Sequence, residues 1–161
     1  SSPASLSLHA VDRGTAVELQ RAPTSGNAVD LATGDFDGDG RPDVACLARL
    51  APGEPQGVVQ LWLGTEAGFV PGERAAVGLL AAEIVAGDLD ADGTDDLLVA
   101  SQNTHNVDVF FNGARRLAKQ PDLGAGLGCI GLALGDLTGD GRLDVVVANA
   151  FSHDLSAVYN R

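Results

Sequence analysis

Methionine is absent from the 161 residues, cysteine occurs twice, and Trp, Tyr and Phe together reach only 4%. Each scarcity narrows the field. A chain without methionine is expected to be a processed mature form or a segment of something longer. Two cysteines, Cys46 and Cys129, are too few for a disulfide framework, and neither has a histidine or second cysteine at zinc-finger spacing. Buried free thiols are expected instead. Lys and Arg number ten, scattered along the chain, against 22 acids, for a net charge of −12. That balance excludes nucleic acid and anionic membrane surfaces, which both require a basic patch. Cations are the natural partners. No apolar run approaches the roughly 18 residues of a spanning helix, so membrane insertion is not expected.

What is present is a core-forming composition, 45% hydrophobic and 20% charged, punctuated by 21 glycines that mark tight turns. At this length folding buries roughly 70% of the unfolded surface, enough for one domain without disulfides. The acids are not spread evenly. "GDFDGDGRPD" from Gly34 returns as "GDLDADGTDD" from Gly87 and as "GDLTGDGRLD" from Gly135. The first aspartates of the three loops, Asp35, Asp88 and Asp136, stand 53 and 48 residues apart, the period of propeller blades or other stacked arrays.

Apolar residues at every second place precede each loop: Val29 and Leu31, then Ala82, Ile84 and Ala86, then Ile130, Leu132 and Leu134. That is strand periodicity. After each loop come "DVACLA", "DLLVAS" and "DVVVANA", nearly continuous apolar runs expected of central strands covered on both faces. Third strands read "GVVQLWLG", "NVDVFFNG" and "DLSAVYN", with a further copy, "SLSLHAV", near the start. "GFVPGERAAV", "RRLAKQPDL" and "TAVELQR" fit outer, fourth strands. The expected fold is all-β: three four-stranded antiparallel units of propeller type, the last incomplete. They divide the chain into partial blade strands at 1–26 and blades at 27–79, 80–125 and 126–161. A ring of three cannot close, since propellers close with about four to eight blades. The ring is therefore expected to be part of a larger one or to be completed by a homo-oligomer, "TAVELQR" reaching the unit that lacks an outer strand.

Within each loop, Asp-x-Asp-x-Asp-Gly-x-x-Asp sets side-chain oxygens at positions 1, 3, 5 and 9, with glycine at the sharp turn. Calcium, a hard cation that takes six to eight oxygens at about 2.3–2.6 Å, suits this arrangement. The candidate ligands are Asp35, Asp37, Asp39, Asp43 and the Arg41 carbonyl; Asp88, Asp90, Asp92, Asp96 and the Thr94 carbonyl; and Asp136, Thr138, Asp140, Asp144 and the Arg142 carbonyl. Thr138 replaces an acid, so the third site is expected to be weakest. Loop position 12 holds Cys46, Val99 and Val147 rather than the closing Glu of a helix-flanked calcium loop. These are strand-loop-strand sites. Eleven of the 22 acids lie at these positions, and a divalent ion turns their mutual repulsion into attraction.

Three such loops between strands, at roughly fifty-residue spacing, resemble the FG-GAP and VCBS repeats of integrin-type β-propellers over residues 5 to 160. The resemblance implies an extracellular module, secreted or at a cell surface, that binds protein ligands or supports adhesion, with about three structural Ca²⁺ ions. A lectin, or a non-catalytic propeller part of a larger secreted hydrolase, are the alternatives. His105 and His153 each fall 17 residues after the first Asp of their loops. The resemblance implies that their turns lie opposite the calcium loops and help form a ligand-binding face. No nucleophile elbow, HExxH helix or phosphate loop is present, and "LGAGLGCIG" leads straight into a metal loop rather than a helix. No enzymatic activity is expected. Trp62 is expected in the core.

Overall fold

A computed structural model describes residues 5–12, 15–23, 26–49, 57–113 and 116–161. All regular structure among them is β-strand. Strands β1 (Ser5–Asp12) and β2 (Thr15–Pro23) form a separate antiparallel hairpin. The first blade is a meander of β3 (Asn27–Gly34), β4 (Asp43–Arg49), β5 (Gly57–Thr65) and β6 (Gly68–Val77). The second follows the same order with β7 (Ala81–Gly87), β8 (Asp96–Ser101), β9 (Asn106–Gly113) and β10 (Arg116–Lys119). A short β11 (Leu123–Gly124) continues along β9 beyond β10. The third blade has β12 (Cys129–Gly135), β13 (Asp144–Asn149) and β14 (Asp154–Val158). Strands β3, β7 and β12 pack beside one another as the innermost strands of successive blades.

Alternation along the central strands decides which core each residue enters. On β8 every residue is buried, yet Leu97 and Val99 join a cluster with Leu47, Val59 and Leu61 of the first blade, while Leu98 and Ala100 join Val145 and Val147 of the third. A continuous apolar run is therefore two half-faces, each serving a different neighbour. Trp62, 6% exposed, packs with Cys46, Val44 and Phe69 on the remaining face of the first blade. Cys46 and Cys129 are buried free thiols, and burial pushes both thiols above their ordinary pKa.

The outer strand of the second blade is split. Pro121 has no N–H to give the ladder, and pairing stops after Lys119 and resumes only at Leu123. Glycine-rich 125–128 then bends into β12, with Gly128 at φ 75°. No helix follows it.

Two sets of contacts join the blades, each repeating in register. Every inner strand carries an irregularity at the same place, between Ala28 and Asp30, Ala81 and Glu83, and Cys129 and Gly131. The acid that follows it reaches the next inner strand: Asp30 accepts the N–H of Ile84 at 3.0 Å, and Glu83 accepts that of Leu132. Near the loops, the side-chain amide of Asn112 donates to the Phe36 carbonyl, and that of Asn160 to the Leu89 carbonyl at 2.6 Å. A buried node braces each blade's opposite end. Asp108, 1% exposed, accepts the Gly78 N–H and the Ser101 hydroxyl, both at 2.8 Å, and the Lys119 ammonium at 2.8 Å. Its counterpart in the third blade is neutral, with Ser156 taking the Gly126 N–H at 3.2 Å and the Asn149 amide at 2.9 Å.

Candidate metal loops

Each acidic loop joins the first strand of a blade to the second, so all three emerge at the same end of their sheets. Left-handed backbone lets them turn. Position 4 has φ 71° at Gly38, 60° at Ala91 and 78° at Gly139, and position 6 has φ 80°, 90° and 87° at Gly40, Gly93 and Gly141. Ala91 alone among these carries a Cβ, in a conformation that costs an L-residue about 1–2 kcal/mol. Ala91→Gly is expected to stabilise the protein by about 0.5–1 kcal/mol after the added chain entropy of glycine, read from urea unfolding midpoints.

Position 1 organises the turn. Asp35 accepts the N–H groups of Gly38 and Gly40 at 2.8 Å each and of Asp39 at 3.1 Å. Asp88 repeats this with Asp92 and Gly93, both at 3.1 Å. Asp136 does so with Gly139 at 2.6 Å and Gly141 at 2.9 Å. These bonds, the Gly141 N–H foremost, hold the Asp136 carboxyl below its ordinary pKa. In the second loop the Thr94 hydroxyl, 2.6 Å from Asp92, does the same for that acid.

Carboxylate oxygens of Asp35, Asp37 and Asp39 converge within 4.8 Å of one another, as do those of Asp88, Asp90 and Asp92. Ligand oxygens on opposite sides of a calcium ion stand about 5 Å apart, given bonds of 2.3–2.6 Å. Both triplets meet that limit. The third loop brings only two acids to the same positions, Asp136 and Asp140, with Thr138 between them. In the first loop Arg41 reaches Asp39 at 3.3 Å and Glu66 at 3.1 Å. Arg41, Thr94 and Arg142 occupy position 7, where their backbone carbonyls are the candidate donors.

The ninth residue stands apart from the other acids. Asp43, Asp96 and Asp144 are all fully buried. Each takes two backbone N–H groups, one from loop position 2 and one from the end of the third strand. Asp43 holds Phe36 at 2.8 Å and Gly64 at 2.6 Å. Asp96 holds Leu89 at 2.9 Å and Asn112 at 2.8 Å. Asp144 holds Leu137 and Asn160, both at 2.9 Å. Burial lifts the carboxyls of Asp43 and Asp96 above their ordinary pKa of 3.8 despite these bonds, and the loop acids Asp37 and Asp35, or Asp90 and Asp88, push the same way.

An acid with a raised folded pKa binds its proton more tightly in the fold than in the unfolded chain. Its contribution to stability is full below pH 3.8 and is lost as pH rises through the folded value. In metal-free protein, the stability difference between wild type and Asp96→Asn is expected to widen as pH falls from neutral toward the carboxylate range. Urea melts across that range check this, and a difference that narrows contradicts it.

His105 and His153 both adopt φ 57° in the turns between second and third strands, at the end of the sheets opposite the loops. They do not meet in one site. The His105 Nδ1 accepts the Gly128 N–H at 3.0 Å, and its ring meets Phe151 edge-on at 6.1 Å, tying the second blade to the third. His153 borders a shallow groove with Ile130, Ala148 and Leu155. The side chain of His9, and Pro52, lie outside the described residues.

Sequence reasoning missed the residues that link blades. Their signal was available as register: Asp30 and Glu83 each stand five residues before a loop, and Asn112 and Asn160 each stand 24 residues after the loop's first Asp.

Stacked antiparallel meanders with an acidic loop between the first two strands of each define a repeat protein of β-propeller type. Family models match an FG-GAP repeat over residues 27–63 and an FG-GAP-like repeat over residues 88–147. The chain belongs to the FG-GAP-like repeat family. A crystal structure of a protein from Lactobacillus plantarum is similar at TM-score 0.57 and 16% identity, over 89% of this chain and 44% of that one. At that identity the likeness concerns the fold alone, and this chain spans less than half of its neighbour's length. No curated protein matches the chain.

Proposed function

We propose that the protein is a calcium-binding propeller module of the extracellular space, a scaffold that presents a protein-binding or adhesive surface, with calcium in a structural role. The convergence of two carboxylate triplets within 4.8 Å, each on a loop pinned at both ends, carries this reading. Calcium would be held by Asp35, Asp37 and Asp39 in the first loop and by Asp88, Asp90 and Asp92 in the second. The carbonyls of Arg41 and Thr94 would add a donor each, and the buried Asp43 and Asp96 would close the loops behind them. When bound, the ion supplies positive charge that offsets the crowding of the carboxylates. Asp136, Asp140 and Thr138 offer a poorer set. Extracellular calcium modules work with dissociation constants of about 10⁻⁴–10⁻³ M, and millimolar calcium outside cells would fill such sites.

The ligand-presenting surface in this reading is the end carrying His105 and His153, away from the loops that fix the blades. Calorimetric titration of metal-stripped protein with CaCl₂ tests the metal part: two sites should fill first and a third more weakly. Absence of any calcium-dependent heat up to about 10 mM, an order of magnitude above the weakest extracellular modules, would remove it.

A further inference from the structure

The two complete blades place one apolar side chain of the fourth strand at the same register. Phe69 of β6 lies opposite Gly64, and Leu117 of β10 lies opposite Asn112. Gly64 and Asn112 are equivalent, since each gives its N–H to the buried ninth aspartate of its own loop. Phe69 packs on Trp62 and Val44, on the blade's face away from the second blade. Leu117 packs in the cluster of Phe36, Leu61, Leu97 and Phe110, with Leu63 against it, between blades one and two. Both residues are plugs on the same side of their sheets.

The third blade has the seat but no plug. Its equivalent residue is Asn160, which gives its N–H to Asp144. Beside Asn160 lies an apolar cavity of about 190 Å³, lined by Leu89, Val109, Phe111, Val145 and Val158. These are the register counterparts of Phe36, Leu61, Leu63, Leu97 and Phe110, the residues around Leu117. Apolar cavities of about 150 Å³ take a benzene ring. Tyr159 stands at the rim, 49% exposed, and β14 is the edge strand of its sheet among the described residues.

We propose that the edge of β14 and the adjoining cavity form an acceptor site for a separate extended peptide strand. The strand runs antiparallel to residues 158–161 and seats one leucine- or phenylalanine-sized side chain opposite Asn160. Main-chain hydrogen bonds to an edge give affinity in such pairings, and the pocket gives specificity. A second copy of this chain is a poor occupant, because each of its fourth strands is engaged: β2 with β1, β6 with β5 and β10 with β9. Specificity also differs from that of the second blade. There the residue two places after Leu117 is Lys119, bound to Asp108 at 2.8 Å. At that place the third blade offers the neutral Ser156, so the incoming strand needs no cation. The inference stands whether or not the loops hold calcium.

The chain's own β10 sequence is the probe. A labelled peptide ARRLAKQ, residues 114–120, is titrated against the 161-residue protein by fluorescence anisotropy, beside ARRAAKQ and ARRLAQQ. Burying a leucine side chain accounts for at least a tenfold difference in affinity, so the Leu→Ala peptide should bind at least tenfold more weakly, while the Lys→Gln peptide binds within about twofold. In a second arm the same seven residues are appended after Arg161, which holds the register of Gly113. Linkage raises the effective concentration to about millimolar, and the melting temperature should rise by about 5 °C with leucine and little with alanine. The variant Val158→Asp, its fold checked by melting, should lose the peptide. The proposal is overturned if the leucine and alanine peptides bind alike, which would signal mere attraction between a basic peptide and an acidic protein, or if the appended leucine strand raises no melting temperature. A dimer of the unmodified protein that the appended strand disrupts would reassign the seat to a second copy.

Discussion

Calcium is expected to raise the melting temperature of metal-stripped protein by several degrees for each filled loop, and a chelator to reverse the gain. An ion that binds only the folded chain stabilises it by about 2.7 kcal/mol at 100 times its dissociation constant. In a domain of this size 1 kcal/mol moves the melting point by about 2–4 °C. The first two loops, with three convergent carboxylates each, should supply most of the effect. Asp37→Ala or Asp90→Ala should each remove about one site's share in calcium and change little without it, since the crowded negative charge is unfavourable in the metal-free loop. Differential scanning calorimetry in calcium and in chelator measures both. Single variants that melt like the parent in calcium would show that the ligands have been misassigned. Asp108→Ala is no neutral control for this experiment: that carboxylate is 1% exposed and holds three donors, so its loss should destabilise the fold with or without calcium.

A loss of roughly 3–5 kcal/mol, independent of calcium, is expected for Asp96→Asn. The native carboxylate accepts from Leu89 at 2.9 Å and from Asn112 at 2.8 Å, in a fully buried position. Hydrogen bonds to a charged acceptor contribute about 1.5–3 kcal/mol each, and a buried donor left unpaired costs about 1–3 kcal/mol. An asparagine keeps the volume but presents an NH₂ to one of two N–H donors. The loss is moderated because burial already penalises the charged carboxylate, as its raised pKa shows. Urea unfolding in chelator should therefore separate two kinds of loop acid. Positions 3 and 5 matter when calcium is present; position 9 matters always. If Asp96→Asn proves as stable as wild type in chelator, the buried aspartate is only a metal ligand and its backbone bonds add nothing net.

Much of the fold was legible because its signals are local. Period-two alternation before each loop, the apolar runs after it and the glycines at positions 4 and 6 follow from backbone sterics and strand geometry, and the strands fall where those signals place them. The candidate loop acids were legible for the same reason, since five positions of one turn bring Asp35, Asp37 and Asp39 together whatever surrounds them. The outer strand at "RRLAKQPDL" was read too long, because Pro121 interrupts the ladder only once its partner on β9 is fixed.

The sequence alone determined the repeat, the order of strands within each blade and the crowding of carboxylates at a turn, all set by interactions spanning a few residues. Only the tertiary structure decided that Asp43, Asp96 and Asp144 are buried clasps between a loop and a distant strand end, that Asp30 and Glu83 reach into the next blade, and that the third blade keeps an unfilled seat beside Asn160. Each of these depends on which backbone N–H groups and apolar faces meet across dozens of residues. A carboxylate's role is set by the donors that surround it after folding, and no local pattern records them.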